Sequence, residues 1–146
     1  MAWHGMAHTT PTPLEVLGLL GAKFKTLTVE DAKAFIADHC VVHEAAGIPE
    51  IGGDWVRPQE FVDLMQAVQA AFNGFDFALD DVVTNDTDTL AFKGRLSAQL
   101  PAGDFDIPII EYWKFVQGKA VNILPVWHDT RLVAELYHKS YPQGRA

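Results

Sequence analysis

Two glutamates stand where the sequence pattern gives a carboxylate unusual surroundings, and both could move protons. Along Phe105 to Phe115, strand alternation puts Ile107, Ile109, Glu111, Trp113 and Phe115 on one face and Pro108, Ile110, Tyr112 and Lys114 on the other. Glu111 therefore interrupts an apolar row. A carboxylate there loses hydration, so it must find a partner or hold its proton to higher pH, the condition of a hydrogen-bond donor or general acid. A structural ion pair or partial burial is the alternative. In the run Cys40-Val41-Val42-His43-Glu44, Cys40, Val42 and Glu44 share a face, and Glu44 sits where the strand opens into Ala45-Ala46-Gly47-Ile48-Pro49. A strand-end carboxylate aimed into a cavity is a candidate general base, and one aimed outward is merely solvated.

Other chemistry-bearing residues point elsewhere. Asp38-His39-Cys40-Val41-Val42-His43-Glu44 holds most metal-ligand types, but His39 and His43 on a strand are about 13 Å apart, too far to share one ion. No metal is expected. His128-Asp129 reads either as a polarised acid-base pair or as a helix cap preceded by a surface histidine. If Met1 is removed, Ala2-Trp3-His4 puts a histidine third in the chain, a pattern able to hold copper or nickel, against the simpler reading of a frayed terminus. There is no phosphate-binding glycine loop, G-x-S-x-G elbow or C-x-x-C. No cofactor is expected.

The elements that position these residues follow from periodicity. Thr12-Pro13 opens a helix over Pro13 to Lys25, with Leu14, Val16, Leu17, Leu20 and Phe24 at helical spacing. Thr28 stands three residues before Asp31 and caps a second helix, ending near Asp38 or His39. Cys40 to Glu44 is a first strand, Gly52 to Arg57 a loop, and Pro58 opens a third helix that Asn73-Gly74 ends. Strands follow over Phe77 to Val83, Leu90 to Leu100, Phe105 to Phe115 and Ala120 to His128, and Asp129 caps a terminal helix. Helices followed by an antiparallel meander make an α+β domain.

Composition bounds the whole. A chain of 146 residues, 49% hydrophobic and 21% charged, closes one core and is not disordered throughout. Residues 1–11 are read as an arm, 12–138 as the domain and 139–146 as a tail. Nineteen acidic against eleven basic side chains give a charge of −8, the wrong sign for nucleic acid. No apolar run nears the roughly 20 residues that span a bilayer. Met1 to Thr10 lack the charge and apolar stretch of a secretory signal, and Cys40 has no second cysteine to pair with. A soluble cytoplasmic protein is expected.

The element order, the strand ending His43-Glu44 before a Gly/Pro loop, and Ile110-Glu111-Tyr112-Trp113-Lys114-Phe115-Val116-Gln117-Gly118-Lys119 together resemble the nuclear transport factor 2-like superfamily, over roughly Pro13 to Tyr137. Within it the sequence is most similar to the ketosteroid isomerase and SnoaL-like polyketide cyclase group. The resemblance implies a cone-shaped α+β barrel, a curved and mostly antiparallel sheet wrapped on three helices from the N-terminal half. Those isomerases carry an aspartate base where Glu44 stands and a protonated acid, in the pattern Ile-Asp-x-x-Arg-Phe, where Glu111 stands. Such an acid, kept neutral, donates a hydrogen bond to the substrate oxygen. Their oxyanion-hole tyrosine falls near Leu20. Epoxide hydrolase and cyclase branches carry an acid near Pro125, and dehydratase-like branches carry a histidine that Leu90 to Leu100 lacks.

The expected function is cofactor-free proton transfer next to a carbonyl, of isomerase or cyclase type, with Glu44 as base and Glu111 as donor. Leu20, Phe24, Met65, Phe92, Ile109, Trp113 and Trp127 are expected to shape an apolar pocket for a small hydrophobic or aromatic molecule. Binding of such a ligand without catalysis, and a dimeric interaction module with a filled interior, are the alternatives. The resemblance further implies a homodimer formed through the outer sheet face, where Ile110 and Tyr112 lie.

Overall fold

The computed structural model describes residues 10–144, so Ala2-Trp3-His4 and most of the expected N-terminal arm lie outside the described residues. Helix α1 (Pro13–Lys23) begins in a reciprocal cap. The Thr12 hydroxyl accepts from the Glu15 N–H at 3.2 Å, and the Glu15 carboxylate accepts from the Thr12 N–H at 2.9 Å. Thr28 and Asp31 repeat that device on α2 (Val29–Lys33). Pro58 sits in the first turn of α3 (Arg57–Ala71), and Asp129 caps α4 (Thr130–Ser140) by accepting from Leu132 at 3.0 Å. That bond gives Asp129 the capping role of its two readings.

Six strands form one sheet in the order β2-β1-β6-β5-β4-β3: β1 (Ile36–Glu44), β2 (Gly53–Val56), β3 (Asp76–Thr84), β4 (Thr89–Leu100), β5 (Gly103–Val116) and β6 (Lys119–Trp127). The β1–β6 pair is parallel and the other four pairs are antiparallel. The fold is α+β. The sheet stays open, ending in the edge strands β2 and β3, so the expected barrel is a curled sheet that does not close. Along β4, Leu90, Phe92, Leu96, Ala98 and Leu100 are buried, while the outward Lys93 and Arg95 pair with Asp80 and Asp106 at 3.2 and 2.9 Å. No described helix is long and apolar enough to cross a membrane.

Most strands run one to four residues beyond the sequence reading, β1 starting at Ile36 rather than Cys40, and the larger differences fall before α3. α1 ends at Lys23 rather than Lys25. α2 ends at Lys33, because Ile36 already pairs with Ala120 of β6 and the Phe35 carbonyl accepts from the Ala120 N–H at 2.8 Å. That distant pairing outweighs local helix propensity. Within the segment read as a loop, Gly53–Val56 is strand β2, set by pairing Glu44 with Gly53 and His43 with Asp54. Four residues are too few to show an alternation of their own.

Candidate active site

A cavity of about 230 Å³ lies between the sheet and the helices α1 and α3. Its more exposed lining comes from α1 and β3, with the half-buried Leu17 and Leu20 and the exposed Leu79. Its floor is the inward face of β1, β6, β5 and β4. Phe61 packs edge-on against Trp113 with centroids 6.2 Å apart, and Phe72 packs against Trp127 at 5.9 Å, which fixes both indoles from the helix side.

All nine residues singled out from the sequence line this one cavity: Glu44, Glu111, Leu20, Phe24, Met65, Phe92, Ile109, Trp113 and Trp127. The two acids arrive from different strands. Val42 of β1 pairs with Ile123 of β6, so Glu44, two residues on, comes level with Pro125, and Pro125 pairs with Glu111 of β5. The two glutamates thus stand on either side of Pro125, two strand spacings or about 10 Å apart at Cα, on the same inward face. Each accepts one indole hydrogen bond. Trp127 Nε1 donates to Glu44 Oε1 at 3.0 Å, and Trp113 Nε1 donates to Glu111 Oε1 at 2.9 Å.

Those surroundings change both acids in the same direction. Burial pushes the Glu44 carboxyl up to about 8; the charge of Glu111 adds to the rise, and the Trp127 bond opposes it. Burial pushes Glu111 up to about 7, against the Trp113 bond. Two carboxyls that feel each other titrate as a pair, so near neutral pH the cavity holds about one proton between them.

Sequence reasoning missed part of the wall. Phe61, Leu64 and Val68 of α3 line the cavity, as do Phe75, Phe77 and Leu79 at and within β3. Ile123 and Pro125 were legible, since they share strand parity with Trp127. Gly94 was the signal for Phe77. A Cβ at Gly94 would lie 2.6 Å from the Ala78 carbonyl oxygen and run into the Phe77 ring, so only glycine lets that ring lie across β4. Gly52 does similar service behind Glu44. A Cβ there would meet the Ala45 and Ala46 carbonyl oxygens at 2.6 Å, so glycine allows the loop after Glu44 to fold back on itself.

No protein-family model matches the sequence, and no curated protein is significantly similar to it. Solved structures do match. An NTF2-like protein from Burkholderia thailandensis, 26% identical, aligns over 86% of this chain and 96% of its own with a TM-score of 0.72. The chain has the nuclear transport factor 2-like fold. Another neighbour is IdmH of Streptomyces antibioticus, a candidate polyketide cyclase (18% identity, 85% of this chain, 97% of that one, TM-score 0.68). A Catenulispora acidiphila protein with a ketosteroid isomerase-like fold, solved with trimethylamine, is 10% identical over 79% of this chain and 85% of its own, with a TM-score of 0.63.

Against the NTF2-like expectations, Leu20 is a half-buried cavity residue with no donor to offer. No tyrosine lines the cavity among the described residues: Tyr112 is exposed on the outer sheet face, and the buried Tyr137 donates to Glu50. His43 makes no shared site with His39. It faces outward, with Nδ1 at 2.9 Å from Asp54 and Nε2 at 3.1 Å from Asn122.

Proposed function

We propose that this chain is a small-molecule enzyme of isomerase or cyclase type that moves a proton next to a carbonyl without a cofactor. The carrying observation is the convergence of Glu44 and Glu111 in one apolar cavity, both raised toward neutrality. Glu44 holds its proton to higher pH than Glu111, so in the empty cavity the single proton rests mainly on Glu44; a substrate carbonyl oxygen beside Glu111 reverses that order, because a protonated acid bonds the oxygen and an ionised one repels it. Glu44 is left ionised and takes the proton from the adjacent carbon. Glu111 stabilises the resulting enolate oxygen, and returning the proton at a second carbon completes an isomerisation. The general-base step requires a value near the working pH, which both acids have.

Cavity volume bounds the substrate. An apolar cavity of about 150 Å³ holds benzene, so the 230 Å³ here encloses one or two rings. Exchange of the α-protons of 2-tetralone in deuterium oxide, followed by NMR, tests the reading. Acceleration by the protein and none by the Glu44→Gln/Glu111→Gln variant is expected, whereas equal rates with both proteins contradict it.

A second reading, binding without catalysis, draws on Leu20 standing where those isomerases place a tyrosine donor. In that case 2-tetralone binds and does not exchange. The open cavity itself speaks against an interaction module with a filled interior. We also propose a homodimer, supported by a contiguous exposed patch on the outer face of β5 and β6, where Ile110 pairs with Val126 and Tyr112 with Leu124. A cytoplasmic location fits the single cysteine, Cys40, whose buried thiol is pushed up to about 12.

A further inference from the structure

The cavity carries a charge imbalance that proton transfer beside a carbonyl does not require. Among the described residues lining it, Glu44 and Glu111 are the only titratable side chains; α1, α3, β3, β4 and β6 contribute no lysine, arginine or histidine. Each glutamate accepts one bond, from an indole that brings no charge. An ionised carboxylate has about four acceptor sites. The second oxygen of each is not sealed in protein either, since the one buried side-chain polar atom without a partner among the described residues is Gln69 Nε2. Those oxygens open on the lumen, where the negative charge that remains once a proton is bound has no cationic side chain among the described residues to meet it.

We propose that the cavity binds a protonated hydrophobic amine of one or two rings, its ammonium donating to the free oxygens of Glu44 and Glu111 and its hydrocarbon body lying against Leu20, Phe24 and Met65. An alkylammonium has the donors and the charge that both carboxylates lack. Such a ligand displaces the shared proton, so its affinity rises with pH while the amine, with a value near 10, stays protonated. A neutral carbonyl ligand needs a protonated acid and shows the opposite slope. The proposal goes beyond proton transfer and holds whether or not the pair catalyses anything; in a working enzyme the amine is a competitor of the substrate.

Isothermal titration of the full chain with 2-phenylethylamine, 2-phenylethanol and 3-phenylpropanoate, between pH 6 and 8.5 and in two buffers of different ionisation enthalpy, tests it. The amine is expected to bind at least tenfold tighter than the alcohol at pH 8, to gain about tenfold from pH 6 to 8.5 and to release protons, while the carboxylate does not bind. The Glu44→Gln/Glu111→Gln variant should keep the alcohol and lose the preference for the amine. An alcohol as tight as the amine, an affinity that falls with pH, or no amine binding up to about 10 mM overturns the proposal. Exchange on 2-tetralone is read separately, so catalysis can fail while amine binding stands, and the reverse.

Discussion

Glu44 and Glu111 face one cavity from opposite sides of Pro125, each holding the indole N–H of a different tryptophan. The arrangement places two acids of like charge on β1 and β5 with an apolar strand residue and, among the described residues, no cation between them, and the charge of Glu111 helps to raise Glu44. Burial raises Glu44 to about 8 and Glu111 to about 7, so near pH 7 this floor is held by partial protonation rather than by an ion pair.

The two roles separate in single variants. Glutamine at position 44 cannot take a proton, so Glu44→Gln should abolish α-proton exchange, a loss of about 10³-fold or more. Glutamine at position 111 still offers an N–H, and Glu111→Gln should keep part of the activity, with a loss of about 10- to 100-fold. NMR exchange rates decide. Equal losses would show that the roles are not divided in this way.

Stability should fall as pH rises through the neutral range. An unfolded glutamate titrates near 4.3, whereas in the fold Glu44 and Glu111 are raised to about 8 and about 7. Between these limits the folded state binds more protons than the unfolded one, so stability declines from about pH 4.5 and levels off above about 8. The loss specific to the pair is on the order of 2 kcal/mol, allowing for their partial exposure to the cavity. Urea unfolding at pH 5 and 8.5, with the double glutamine variant as the flat reference, measures it. A wild-type curve parallel to the variant's would count against raised acids.

Gly94→Ala should destabilise the fold by about 1–3 kcal/mol, because the methyl meets both the Phe77 ring and the Ala78 carbonyl. The displaced ring belongs to the cavity wall, so ligand affinity should fall with stability. Thermal unfolding and 2-phenylethanol binding read the two effects. Unchanged unfolding would mean that β3 gives way without cost.

On the outer face, Tyr112→Glu should halve the mass in solution, since it places charge amid Ile110, Leu124 and Val126. Light scattering at about 100 μM, well above the micromolar range of standard interfaces, checks it. A wild-type monomer at that concentration would remove the dimer.

Strand parity carried most of the floor. The alternation along β5 separated Glu111 and Trp113 from Tyr112 and Lys114, and the structure keeps that division. Capping residues gave three helix starts, at Thr12, Thr28 and Asp129. What stayed illegible was set by distant partners. β2 exists because β1 lies beside it, and Ile36 is strand because Ala120 reaches Phe35. That Glu44 and Glu111 come level at Pro125 depends on the parallel β1–β6 register, which no local pattern encodes.

Near neutral pH Glu44 and Glu111 hold about one proton between them. Carbon-13 NMR titration of the glutamate side-chain carboxyls, assigned with Glu44→Gln and Glu111→Gln, observes this directly. Two coupled transitions near 7 and 8 are predicted, and removing Glu111 should lower the value of Glu44, because the charge of Glu111 helps to raise it. Both carboxyls titrating independently near 4.3 would contradict the account.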